Sequence, residues 1–132
     1  DQTPFGKIEG PCCFGGWSEM CFDFKFFASM WDSPDKSGDI GLITKKKPTS
    51  GGAALTELLS ESDNYSIEFN KEAHLSATQK ATVLGAQILA DYMYFDGNTD
   101  KCRFADEGIY CYLCYCSIVG CIAPCYLFIP TK

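Results

Sequence analysis

The chain has 132 residues, 46% of them hydrophobic and 21% charged, with a net charge of −6. That length suits one domain with its own core. The acidic balance excludes nucleic acid as the main ligand, because phosphate binding rests on Lys and Arg.

The chain opens at Asp1 with no secretory pattern in Asp1-Gln-Thr-Pro-Phe-Gly, so a piece of a longer protein is expected. Gly10-Pro11 and Gly15-Gly16 break the chain before the first clear strand, Phe22-Asp-Phe-Lys-Phe26, which alternates apolar and charged residues. Asp32 to Gly38 is rich in turn formers and reads as a loop. A second strand, Ile40 to Thr44, runs into Lys45-Lys46-Lys47-Pro48 and a flexible Thr49-Ser-Gly-Gly52. One or two helical turns fit Ala53 to Leu59, and Asn64 to Phe69 returns to strand character.

A helix over 76–95 is expected next. Ser76 suits the N-cap and Gln79 the capping-box position. Ala77, Ala81, Leu84, Ile88, Tyr92 and Phe95 recur at three- and four-residue spacings, widened by Val83, Leu89 and Met93. The uncharged run between Lys80 and Asp91 is too short to span a bilayer, which needs about 20 residues, so burial in the core is expected.

The end of the chain, 99–132, is apolar and rich in cysteine. Ile109 to Pro130 carries no charge, and Tyr110, Tyr112, Tyr115 and Tyr126 lie toward its ends. A membrane segment over 109–130 is the favoured expectation; two buried strands with a turn near Gly120 are the alternative. Nine cysteines fall into two groups, Cys12, Cys13 and Cys21, then Cys102, Cys111, Cys114, Cys116, Cys121 and Cys125. Disulfides, a zinc site using the Cys111–Cys114 pair, and reduced or lipid-modified thiols all remain open, with the last preferred. Cys12, Cys13, Cys111, Cys114, Cys116, Cys121 and Cys125 are candidate acylation sites; Cys21 and Cys102 have buried packing as their alternative.

Gly10-Pro-Cys-Cys13, Cys21-Phe-Asp-Phe-Lys25, the Gly41 to Lys47 strand, Ser62-Asp-Asn-Tyr-Ser-Ile-Glu-Phe69 and the helix Thr78 to Phe95 resemble, in order and spacing, the C-terminal half of the phospholipid scramblase family. The resemblance covers about Lys7 to Asp96. It implies a tubby-like β-barrel threaded by a hydrophobic helix. The fold expected is therefore mainly β with one buried hydrophobic helix: a partial barrel over 1–98 and an apolar Cys-rich tail over 99–132. Half a barrel leaves strand edges unpaired. The family pattern lacks the Asp32 to Ser37 insertion, read as an extended hairpin loop, and does not account for the tail.

The same resemblance implies a weak Ca2+ site like an EF-hand loop before the helix, with Glu61, Asp63, Tyr65, Ile67 and Glu72 at ligand positions. Tyr65 stands where an Asp is preferred and Ser66 where the loop wants Gly. Val83, Leu84, Ile88, Leu89, Tyr92 and Phe95 are the expected core or membrane face of the helix. Lys45, Lys46 and Lys47 are candidates for contact with anionic headgroups or an import receptor, against a solvated turn. His74 has no partner in view. The function implied is calcium-responsive, ATP-independent bidirectional movement of phospholipids at the cytoplasmic face of the plasma membrane, without covalent chemistry. The alternative is a palmitoylated tubby-like module that binds lipid or protein partners without transport.

Overall fold

The computed structural model describes residues 4–60, 63–95, 101–118 and 121–131. Strands β1 (Gly6–Glu9), β3 (Phe24–Met30), β4 (Gly41–Lys46) and β5 (Asn64–Phe69) form an antiparallel sheet in the order β1-β3-β4-β5. Helix α1 spans Gly51–Ser60 between β4 and β5, and helix α2 spans Ala77–Tyr94. A second antiparallel sheet contains β2 (Cys13–Phe14), β6 (Cys102–Ala105), β7 (Gly108–Ile118) and β8 (Cys121–Pro130), with β7 pairing to each of the others. The fold is mainly β, and the barrel is open.

The alternation in β3 and β4 builds the core. Ala28, Ile40, Ile43 and Val83 are buried together, with Ile8, Phe26, Ile67 and Leu75 packed around them. A second cluster, Phe14, Phe24 and Phe95, reaches Tyr115 and so joins the two sheets. Gly16, at φ 62, allows a close approach there: a Cβ would meet the Tyr112 carbonyl oxygen at 2.7 Å.

The Asp32 to Ser37 insertion is indeed a hairpin loop, between β3 and β4. It is folded back onto β1 by Lys7 on Asp35 at 2.6 Å and by the Lys36 N–H, which donates to Glu9 at 2.8 Å. Gly51 and Gly52, expected in a flexible link, instead begin α1. Ser50 Oγ accepts from the Ala53 N–H at 3.2 Å and satisfies a donor that the first turn leaves open.

Ser76 and Gln79 close the expected capping box: the Gln79 N–H donates to Ser76 Oγ at 3.2 Å and the Ser76 N–H to Gln79 Oε1 at 2.8 Å. The expected burial of the helix is corrected. Val83, Gln87 and Phe95 lie on the sheet and are buried, yet Leu84, Ile88, Leu89, Tyr92 and Met93 are exposed. A four-stranded sheet covers one stripe of a helix, and the adjacent stripe one residue round stays open.

The 109–130 run is an antiparallel hairpin of β7 and β8, and no described helix is long and apolar enough to cross a membrane. The two strands of the alternative reading are thus present, and Gly120, where that reading puts its turn, lies outside the described residues. β8 is mostly exposed and β7 mostly half-buried, with Leu113, Ile118, Ile122, Tyr126, Leu127, Phe128 and Ile129 all open. Tyrosines and cysteines alternating along β7 satisfy a pleated strand better than a helix.

Candidate functional site

The site is built where α2 meets β4 and β5. Lys45, on β4, points under the end of α2 and is 1% exposed. Its Nζ lies 2.8 Å from Glu19 Oε2 and 2.7 Å from Asp63 Oδ2. It also sits 4.1 Å from the centre of the Phe95 ring, a favourable cation–π position. The 3-10 turn Gly16–Met20 delivers Glu19, and the first residue before β5 delivers Asp63. Beside them the Tyr65 hydroxyl donates to Asp91 Oδ1 at 2.6 Å. Burial first, and then the Asp91 carboxylate, push the Tyr65 phenol well above its ordinary pKa. Desolvation also raises Asp91, with nearby Asp63 adding to the rise, against the hydrogen bond from Tyr65 and the charge of Lys45. Two carboxylates thus hold one buried ammonium, and a third, Asp91, stands beside them on the Tyr65 hydroxyl.

This geometry redistributes the residues expected from the sequence. Lys45 is locked in its ion triad, so it is removed from the headgroup candidates; Lys46 and Lys47 remain exposed. The Lys47 N–H is held by Asp23 at 2.8 Å, and its Nζ reaches the Cys21 carbonyl at 3.4 Å. Of the EF-hand-like set, Glu61 lies outside the described residues. The others do not share one coordination sphere, because the segment is strand β5. In it Tyr65 pairs with Lys45 and Ile67 with Ile43. Glu72 stands beyond the strand, exposed, in a short 3-10 turn capped by Asn70. A loop that must curl round an ion has been drawn straight by its ladder to β4. His74 caps that turn, exposed, at φ 45. Glu19 and Asp91, which the sequence did not single out, complete the cluster; neither lies in a recognisable motif.

Along the open side of α2 runs a groove of about 500 Å³, lined by Ile8, Phe14, Phe26, Leu89, Met93 and Ile122 among others. It lies between the helix, the first sheet and the tail hairpin. Leu84, Ile88 and Tyr92, expected in a core or membrane face, continue this apolar surface into solvent. Val83 and Phe95 are the members of that set that enter the core.

The cysteines divide by environment. Cys102 and Cys111 are joined by a disulfide, which corrects the preference for thiols throughout and removes Cys111 from both acylation and the Cys111–Cys114 zinc pair. Cys12, Cys21 and Cys121 are exposed, so Cys21 is not a buried packing residue. Cys13, Cys114, Cys116 and Cys125 are half-buried thiols.

A family model described as Scramblase matches residues 2–97, from before β1 to just past α2. The chain belongs to the scramblase family. The match includes the triad, the whole of α2 and the groove wall apart from Ser117 and Ile122, and stops before the tail hairpin. No solved structure matches the chain. Membership gives this chain a scramblase-like role in general terms, in association with phospholipid membranes.

Proposed function

We propose that this scramblase-family chain serves calcium-responsive, ATP-independent movement of phospholipids between leaflets, at the cytoplasmic face of the plasma membrane. The observation that carries the reading is the uncovered apolar stripe of α2, with Ile88 58% and Tyr92 70% exposed above a groove lined by Leu89 and Met93. An acyl chain laid there is removed from water at about 25 cal/mol per Å² of apolar area, while its headgroup stays with solvent. Lys46 and Lys47 offer exposed positive charge to anionic headgroups. Calcium responsiveness rests on Glu19, Asp63 and Asp91: a cation arriving there competes with Lys45 for Asp63 and loosens the clasp on the end of α2.

The test is lipid flux in vesicles reconstituted with the chain, followed by quenching of a fluorescent phospholipid from outside, with and without calcium. Flux above protein-free vesicles, raised by calcium and reduced by Leu89→Asp, is expected. Flux equal to protein-free vesicles under both conditions overturns transport.

The exposed thiols of Cys12 and Cys121 favour one second reading, a palmitoylated module that binds without transporting. In that case the double variant Cys12→Ser/Cys121→Ser leaves membranes in a flotation assay, and wild type shows no flux.

A further inference from the structure

Strand register gathers four sulfurs on one face of the second sheet. Cys13 on β2 pairs directly with Cys116 on β7, and Cys125 on β8 pairs directly with Cys114 on β7. Cys114 and Cys116 are two apart on one strand and so share a face. The Sγ atoms follow the backbone: Cys116 lies 2.8 Å from Cys13, 3.2 Å from Cys125 and 3.8 Å from Cys114. Cys13, Cys114 and Cys116 have their Sγ atoms all within 4.8 Å of one another.

We propose that Cys13, Cys114, Cys116 and Cys125 form a thiolate site for one thiophilic d10 metal ion, zinc(II) or copper(I), which ties the tail hairpin to the scramblase domain. Zinc–sulfur bonds of about 2.3 Å in a tetrahedron set sulfurs about 3.8 Å apart. The Cys114–Cys116 separation already has that value, and the two shorter pairs need only open outward by about 1 Å or less. Cys125, which touches Cys116 but stands outside the mutual group of Cys13, Cys114 and Cys116, has to swing in as the fourth ligand. A disulfide does not account for the arrangement, because one sulfur closes one bond and Cys116 has three sulfur neighbours. A metal ion satisfies all of them at once. The ligand chemistry is all sulfur, which selects soft cations over Ca2+ or Mg2+. Half-burial on a paired sheet holds the ligands in place while leaving an entry path.

The consequence is a staple between parts of different origin. Cys13 belongs to the region that matches the family, and the other three ligands belong to the hairpin beyond it. The Ser117 N–H, donating to the Cys12 carbonyl at 2.6 Å, holds the same junction through the backbone. Each thiol that becomes a ligand gives its proton to the buffer, so loading at constant pH releases protons.

The test uses the full chain with its seven free thiols kept reduced, titrated with Zn2+ or with Cu+ against a chromophoric chelator. Bound metal is counted by elemental mass spectrometry, and Co2+ stands in for Zn2+ to report geometry. One equivalent is expected, with a sulfur-to-cobalt charge-transfer band and tetrahedral d–d bands. Cys116→Ser loses one-to-one binding and Cys21→Ser keeps it. Cys125→Ser separates the ions: a zinc site loses its fourth ligand and its binding, whereas a copper(I) site keeps its three close sulfurs and holds. Absence of one-to-one binding by either ion in wild type overturns the site, even if Cys116→Ser fails to fold. So does unaltered binding in Cys116→Ser, or a Cys13–Cys116 or Cys114–Cys125 disulfide found after thiol trapping at lysis.

Discussion

Lys45 shows how much one side chain decides. In the sequence it is the first of three lysines before a proline, and nothing distinguishes it from its neighbours. Strand alternation separates them: Lys45 turns inward on β4 while Lys46 faces solvent. A buried ammonium needs partners, and Glu19 and Asp63 supply them from elements far apart in the chain. Lys45→Met retains the stem but leaves two carboxylates without their cation, so it should cost about 3–5 kcal/mol, read as a lower denaturation midpoint at unchanged slope. Lys46→Met, on the exposed side, should stay within about 0.5 kcal/mol. Asp91 gives a pH signature. Its folded-state pKa lies above the unfolded carboxyl value of about 3.9. Its contribution to stability is therefore complete below that value and is lost as pH rises through the higher folded one. Asn at this position keeps an oxygen for the Tyr65 hydroxyl and cannot ionise. Asp91→Asn should thus gain on wild type between acid and neutral pH in denaturation series, and an unchanged pH slope would contradict the assignment.

Among the elements, α2 was the most legible and also the most misleading. Its start, its cap and its length follow from Ser76, Gln79 and the apolar spacing, and all reappear in the structure. Which stripe is buried does not follow, because Val83 and Leu84 differ only in what the sheet happens to reach. The strand 64–69 also follows from the sequence with its bounds, whereas a calcium loop over the same residues competes with the extended ladder to β4. An uncharged run with aromatic ends looks the same whether it is one helix or two strands, and the 3-10 turn and β2 that hold it lie about a hundred residues away. A bulge at Leu113 adds a further concealment. It places Cys111 and Cys114 on the same face of β7, although their spacing of three would separate them in a regular strand.

For the whole molecule, the two sheets share a junction made by Phe14, Phe95, Tyr115 and Gly16. The family region accounts for the first sheet and α2; the second sheet is mostly tail. Among the described residues β8 pairs with β7 alone, and it is long, apolar and exposed, a template for pairing with another chain. Leu127→Lys sets a charge on that strand, and should lower self-association at equal concentration in sedimentation experiments. Equal association in both proteins would show that β8 is not the sticking edge.

The hairpin also sets how deep the tail can go. Each arm, at about 3.3 Å per residue, is long enough to reach across a bilayer's oily interior. A ribbon with a bare outer rim cannot rest there alone, since every amide on that rim would lack a partner. A single ribbon is thus barred from crossing by itself, and a crossing made by these strands would need several ribbons joined rim to rim into a ring.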